Sequence, residues 1–197
     1  MSTINFGSSD RKSVLMFIRD GSRDLHLMLE EEVMVMKTML EAEGYHVETA
    51  TVDGKDISDG HLTVKIDHKI SDISMDDYVA IILPCMAPPK GSKNESKVVD
   101  LVRDAANAGK PIAANRGSVG VLAEAGILKG RRFAGASPVN VEEHPCYLGS
   151  TYTGTGTERD GLVSTNGICP LAARSLGLPD GTADLTQSLI DSLNEIS

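Results

Sequence analysis

The stretch Lys110-Pro111-Ile112-Ala113-Ala114-Asn115-Arg116-Gly117-Ser118-Val119-Gly120 constrains this chain more than any other. It reads as a short buried strand, an abrupt turn and a helix that begins at once. In α/β enzymes, a turn of this kind holds a nucleophile on strained backbone. The residue at the turn is Asn115, whose amide is not a nucleophile. Asn tolerates positive φ better than most residues, so it suits a strained apex. The scaffold of a covalent-catalysis site is therefore present while its usual reagent is absent.

The rest of the chain alternates strands with helices. Ser13 to Ile18 is a mostly apolar strand, the pattern of one buried on both faces. Met28 to Glu43 carries Met28, Leu29, Val33, Met36 and Leu40 near helical spacing, and Gly44 ends it. His46 to Val52 alternates as a strand, Leu62 to Ile66 suits a short strand or hairpin partner, and Asp77 to Leu83 is the next buried strand. Ser96 to Ala108 is an amphipathic helix. Pro111 to Ala114 reads as the central strand, with a helix over Ser118 to Ala125 behind the turn. Short strands follow at Arg132 to Ala134, Thr151 to Thr153 and Leu162 to Thr165, and helices over Pro170 to Ser175 and Ala183 to Asn194 close the chain. This order predicts a doubly wound, mostly parallel sheet with helices on both faces. Such sheets place their sites at the carboxyl ends of the strands. Arg19-Asp20, Cys85-Met86 and Asn115-Arg116 all follow strands, and are predicted to converge on one crevice.

A length of 197 residues suits one α/β domain, here Ser13 to Ser197, preceded by a polar, flexible arm over Met1 to Lys12. The arm lacks the apolar core of a signal peptide, and no apolar run approaches the roughly 20 residues that span a bilayer. Net charge is −9, which disfavours nucleic acid, whose binding rests on Lys and Arg contacts to phosphate. Three cysteines make no disulfide framework, so a reducing cytoplasm is the expected compartment and no membrane partner is expected. No histidine pairs with another His or Cys at metal-ligand spacing, so neither metal nor cofactor is predicted.

Several words of the sequence resemble the ThiJ/PfpI family, which shares the class I glutamine amidotransferase-like, flavodoxin-like fold. Val14 to Ile18 is similar to its first strand, and Glu41 to Ala50 to its helix, Gly, strand unit. Asp76 to Pro84 resembles "D-Y-D-A-hydrophobic-P-G-G". Gly109 to Gly117 resembles "G-K-P-hydrophobic-A-A-hydrophobic-C-H-G", and Leu122 to Arg132 resembles "L-A-x-A-G-L-L-K-G-R-R". Arg159 to Thr165 is similar to a late "D-G" strand. These words run in family order. The resemblance implies the fold, a homodimer and a crevice taking a small-molecule ligand or substrate. Departures accompany it. The family's Cys is read as Asn115 and the residue after it as Arg116. The paired glycines after the fourth strand are Cys85 and Met86. The acidic residue beside the nucleophile matches Glu32, with Glu30 and Glu31 as close competitors. Thiol-dependent glyoxalase, deglycase or protease chemistry at the turn is thereby disfavoured.

The candidate catalytic residues are Glu32, Asn115 and Arg116. Glu32 in a buried setting would have a raised pKa and move a proton; otherwise it is one solvated member of an acidic run. The Asn115 amide would hold a carbonyl or enolate oxygen, or would merely satisfy the turn. Arg116 would clamp an acidic group, or would form a structural ion pair with Glu32 or a second subunit. The candidate substrate-binding residues are Arg19, Asp20, Cys85, Met86, Gly117 and His144. Cys85 is also a candidate displaced nucleophile; Cys169 lies in a late loop near the site, and Cys146 is the weakest of the three. Three functions follow. The first is a non-covalent acid–base enzyme, of hydratase, lyase or isomerase type, on a small carbonyl-bearing metabolite. The second is a ligand-binding or regulatory pseudoenzyme. The third is hydrolase or redox chemistry through Cys85.

Overall fold

The alternation of apolar side chains along its strands lets this sheet bury both faces. The computed structural model describes residues 12–86, 95–136 and 144–197. The arm expected over residues 1–12 lies, apart from Lys12, outside the described residues, as does most of the loop expected between Gly135 and His144. The strands are β1 (Ser13–Phe17), β2 (His46–Thr51), β3 (Ile57–Ser58), β4 (Thr63–Val64), β5 (His68–Lys69), β6 (Ala80–Leu83), β7 (Ile112–Asn115), β8 (Arg132–Phe133), β9 (Thr151–Tyr152), β10 (Thr157–Asp160) and β11 (Val163–Asn166). Helix α1 (Leu25–Met28) passes through a π-turn over Leu29–Val33 into α2 (Met34–Ala42). The remaining helices are α3 (Ser96–Asn107), α4 (Val119–Glu124), α5 (Pro170–Leu176) and α6 (Thr182–Glu195).

Seven strands form one sheet in the order β10-β11-β7-β6-β1-β2-β5. Every pairing in it is parallel except that of β10 with β11. On β1, Val14 and Met16 face one side and Leu15 and Phe17 the other. The first pair packs with Ile82 and Ala113 against Met28, Val33, Met36 and Leu40 of α1–α2 and Leu185, Leu189 and Leu193 of α6. The second packs with Ile81, Leu83, Ile112 and Ala114 against Val98, Leu101 and Val102 of α3 and Val119 and Leu122 of α4. The predicted doubly wound α/β architecture is what the chain adopts.

Some local features differ from the sequence reading. The first long helix begins at Leu25, three residues early, because the Asp24 side chain accepts from the Leu27 N–H (3.1 Å) and caps it. Strand β7 is interior but β6 takes the middle of the sheet. Strand β10 was not expected. Its Thr-Glu-Arg-Asp sequence has no apolar alternation, since it is a half-exposed edge strand.

Candidate active site

The period of two along β7 fixes the site. Ala113 faces the α1–α2 side of the sheet, so Asn115 does too. In the parallel register β7 places Asn115 opposite Asn166, the last residue of β11. The Asn166 Nδ2 donates to Asn115 Oδ1 (2.8 Å) and to the Ile168 carbonyl (2.9 Å). The Asn115 Nδ2 donates to Oε1 of Glu32 (2.6 Å), which also accepts from the Cys85 N–H (2.9 Å). Glu32, Asn115 and Asn166 thus form a buried polar chain at the carboxyl ends of β6, β7 and β11, each at most 1% exposed.

The π-turn supplies the carboxyl. It widens the helix over Leu29–Val33 so that Glu32 turns inward, while Glu30 stays exposed and Glu31 half-buried. This settles which residue of the acidic run enters the fold. Burial pushes the Glu32 carboxyl well above the usual carboxylate range, against the Cys85 N–H and the Asn115 amide, which favour the charged form. The nearby Cys169 and Asp180 push it further up. Both described donors go to Oε1, and Oε2 is buried with no hydrogen-bond partner among the described residues. Oε2 is thus the oxygen left open to carry a proton.

Two close approaches lock the chain. A Cβ on Gly181 would lie 2.2 Å from Oδ1 of Asn166, and one on Gly167 would lie 2.1 Å from the Gly135 carbonyl oxygen. Only glycine fits at either position. Asn166 escaped the sequence reading because a lone Asn at a strand end carries no signal; only the register with β7 brings it to Asn115.

The strained residue is Arg116, not Asn115. Asn115 has an ordinary extended backbone (φ −100°, ψ 133°), whereas Arg116 has φ +35°, the only positive φ outside glycine among the described residues. Such a conformation costs about 1–3 kcal/mol and persists where its surroundings enforce it. Here the Arg116 guanidinium donates to the Gly167 carbonyl (2.6 Å), and the Ser118 hydroxyl donates to the Pro84 carbonyl (2.5 Å). The ion pair between Arg116 and Glu32 considered from sequence does not form.

Above this polar floor lie two thiols. The Gly117 N–H donates to Cys85 Sγ (3.3 Å). The thiols of Cys85 and Cys169 are near enough to perturb each other's ionisation. Both line a cavity of about 220 Å³ with Arg23, Arg116, Gly117 and Leu171. The Cys85 thiol, foremost, holds the Cys169 thiol down at about 6; the Ala172 and Leu171 amides and the Arg116 guanidinium assist. The Cys85 thiol is pushed up, first by Cys169, then by burial and by Glu32. Of the two, Cys169 is therefore the thiol that ionises more readily.

The expected single crevice is divided. Arg19 pairs with Glu95 (3.3 Å), donates to the Met86 carbonyl (3.3 Å), and stacks over Phe17. With Asp20, Thr51, Asp53 and Lys55 it lines a separate cavity of about 490 Å³ beyond the ends of β1 and β2. Met86 is 1% exposed and packs into the core, so it lines neither cavity. His144 is exposed, accepts from the Cys146 N–H (3.4 Å), and also lines neither. Of the nine candidates, Cys85, Arg116 and Gly117 line the thiol cavity, and Glu32 and Asn115 support it from below. Among the described residues no three His, Cys, Asp or Glu side chains gather as a metal site would need. No described helix is long and apolar enough to cross a membrane.

Comparison with known proteins gives this geometry relatives. The model of the DJ-1/PfpI family matches residues 12–168. "Uncharacterized protein MJ0967" of Methanocaldococcus jannaschii is 31% identical over 154 residues, which cover 76% of this chain and 73% of that protein. "Deglycase PfpI" of Pyrococcus furiosus is 30% identical over 105 residues, 53% of this chain and 62% of that protein. Among solved structures, a ThiJ/PfpI domain protein from Brachyspira murdochii superposes with a TM-score of 0.71 at 17% identity, covering 97% of this chain and all of that one. Drosophila melanogaster DJ-1beta superposes at 0.65 and 20% identity, covering 94% and 95%.

Proposed function

The chain belongs to the DJ-1/PfpI family, and from that premise we propose that its crevice is a thiol site for a small carbonyl-bearing compound, with the reactive sulfur moved off the strand-to-helix turn onto Cys169. Counted without a gap against the family word quoted above, Asn115 occupies the second hydrophobic place and Arg116 that of the cysteine. The positive φ at Arg116 supports that count. A guanidinium is no nucleophile, so the turn itself carries no covalent chemistry.

The observation that carries the reading is that Cys169, Cys85 and Arg116 line one cavity. In this reading the Cys169 thiolate adds to the carbonyl carbon, and the π pair moves to oxygen. That oxygen takes the proton held by Cys85, with the Arg116 guanidinium at hand to stabilise the developing charge. The product is a hemithioacetal; with a 2-oxoaldehyde its C–H hydrogen moves to the neighbouring carbonyl carbon, whose oxygen takes a proton, and the resulting thioester is hydrolysed by water to a 2-hydroxy acid and the free Cys169 thiol. That several relatives are named deglycases supports a carbonyl-derived substrate.

A second reading keeps Glu32 as the proton mover of a non-covalent reaction. Its favouring observation is the buried Oε2, which lacks a partner among the described residues. Glu32 has no exposed surface, so its proton would travel through a neighbour rather than pass directly to substrate. The two readings separate on a panel of small aldehydes and 2-oxoaldehydes, followed by loss of the carbonyl absorbance. In the thiol reading Cys169→Ser abolishes turnover and Glu32→Gln retains it. The opposite pattern overturns it in favour of acid–base chemistry. Saturable binding without turnover by the wild type rejects both and leaves a binding protein.

A further inference from the structure

The cavity beyond β1 and β2 holds about 490 Å³, against about 220 Å³ for the thiol cavity, and only the first is of the size that small-molecule sites ordinarily have. Its position follows from the topology. The chain runs from β1 outward to β2 and β5, then crosses back to β6 on the other side of β1. The strand order therefore switches between β1 and β6. Connections diverge at such a point, and open α/β sheets hold ligands in the crevice this leaves at the carboxyl ends. Ile18, Arg19 and Asp20 leave β1 into this cavity, the stretch from Thr51 to Ile57 enters it from β2, and Glu95 closes it at the start of α3.

The charges on its walls are unevenly spent. Arg19 is 5% exposed, and its guanidinium is already engaged by Glu95, the Met86 carbonyl and the Phe17 ring. Oε2 of Glu95 lies 3.3 Å from that guanidinium but accepts no hydrogen bond among the described residues. The floor thus favours a further positive charge above it. Lys55 is exposed and pairs with Asp53 (2.8 Å), and Asp56 pairs with Lys65 (2.6 Å). Asp20 is exposed and has neither an ion pair nor a hydrogen bond among the described residues. Four carboxylates and two cations line the cavity, and both cations are engaged. An anion would meet this surplus of negative charge; a cation is attracted by it. Ile18, Ile57 and Val52, the last 45% exposed, supply apolar wall.

We infer that this cavity is a binding site for a small aliphatic diamine in its doubly protonated form. One ammonium sits on Asp20, on the β1 wall. The other sits on Asp53, on the β2 wall. The Asp53–Lys55 pair is exposed on both sides, and such pairs contribute little, so the ligand displaces the Lys55 ammonium at small cost. The methylene chain lies over Ile18, Val52 and Ile57, whose apolar surface it covers. Arg19 is a positioning residue here: its pairing with Glu95 and the Met86 carbonyl fixes the loop that carries Asp20. The inference needs neither a thiol nor a carbonyl compound.

The test is calorimetric titration of the wild-type protein with 1,5-diaminopentane at neutral pH and low salt, beside pentylamine, 1,5-pentanediol and glutarate. The expected result is saturable binding of the diamine to one site, weakening as salt is raised. Pentylamine is expected to bind about tenfold or more weakly, having lost one ammonium, and the diol and the dicarboxylate not to bind. Asp20→Asn is expected to weaken the diamine about tenfold with an unchanged unfolding midpoint, whereas Asp191→Asn, on α6 and away from the cavity, leaves binding as it was. Amide chemical shifts in the wild type locate the ligand, and those of Asp20, Val52 and Lys55 are expected to move. The inference is overturned if glutarate binds in place of the diamine, if the diol or pentylamine binds as well as the diamine, or if no saturable binding occurs. It is equally overturned if both variants weaken binding alike, or if the shifts gather at Gly117 and Cys169. Failure of the carbonyl reading leaves all of these outcomes untouched. Because the choice of ligand and its location are read on the wild type, a variant that fails to fold does not obscure them.

Discussion

Replacing Glu32 by Gln tests whether the buried carboxyl is neutral. Gln keeps an oxygen to accept from the Asn115 amide and the Cys85 N–H, and puts an N–H₂ donor at the position of Oε2. The shape is nearly unchanged; what disappears is a titration. Below pH 4.5, the ordinary value for the carboxyl, Glu32 is protonated in both the folded and unfolded chain, and its contribution is complete. As pH rises past 4.5 the unfolded chain releases the proton while the folded chain, whose carboxyl is raised by burial, retains it. Folding then loses about 1.4 kcal/mol per pH unit until the folded value is passed, after which the loss is constant. Gln carries no such term. Urea unfolding at intervals from pH 4 to 8, in a Cys169→Ser background that removes the thiolate, gives the stability of each protein. The expected result is that the wild type falls relative to Glu32→Gln from about pH 5 upward, with unchanged denaturant slopes. Parallel curves would refute the claim that Glu32 is held protonated. A wild type that gains on the variant as pH rises would mean that the two donors outweigh burial and the carboxylate is charged.

Other outcomes follow from the same packing. Asn115→Leu leaves Glu32 and Asn166 each one partner short, and is expected to cost about 2–5 kcal/mol of unfolding free energy while leaving Cys169 alkylation intact. Gly181→Ala is expected to cost about 1–3 kcal/mol, because its Cβ meets the trapped Asn166 amide; φ at −98° adds no backbone strain. Gly156→Ala, with nothing within 4 Å, is the control and stays within about 0.5 kcal/mol. Alkylation of Cys169 by iodoacetamide, read by peptide mass spectrometry, is expected to rise with pH through about 6 and then level. In Cys85→Ala the midpoint moves toward the ordinary thiol range, since the largest cause of the shift is gone.

Much of the fold was legible because its causes are local or periodic. Val14 to Ile18 and Ala80 to Leu83 are continuous apolar runs, and Ser96 to Asn107 has one apolar face; each predicts its element wherever the chain leads. The strand-to-helix turn after β7 was legible for the same reason. The error there was one of register by a single residue. A turn's polar residues announce that the chain reverses, but Asn115 and Arg116 are both polar, and only the backbone angles assign the strain. Glu32, favoured by resemblance among three adjacent glutamates, is the one that is buried, although no helical period selects it. The partners that convert these residues into a site were illegible. Asn166 meets Asn115 through strand register, and Cys169 meets Cys85 through the placement of α5, more than eighty residues along the chain. His144 was proposed through a loose correspondence with a late histidine of the family; its ring lies beside Tyr147 and lines neither cavity.

The π-turn over Leu29–Val33 has a consequence for the whole helix. A π-turn holds one residue more than an α-helical turn. Removing any one residue from it would let α1 and α2 merge into a plain α-helix. Everything on the amino-terminal side would then rotate by about 100° relative to α2, since 3.6 residues complete a turn. Asp24, which caps the helix, and Arg23, which edges the thiol cavity, would swing with it. One added residue in a helix thus sets both which glutamate goes inside and where the rim of the pocket stands, so length variation at this point would re-shape the site without touching any residue that lines its floor.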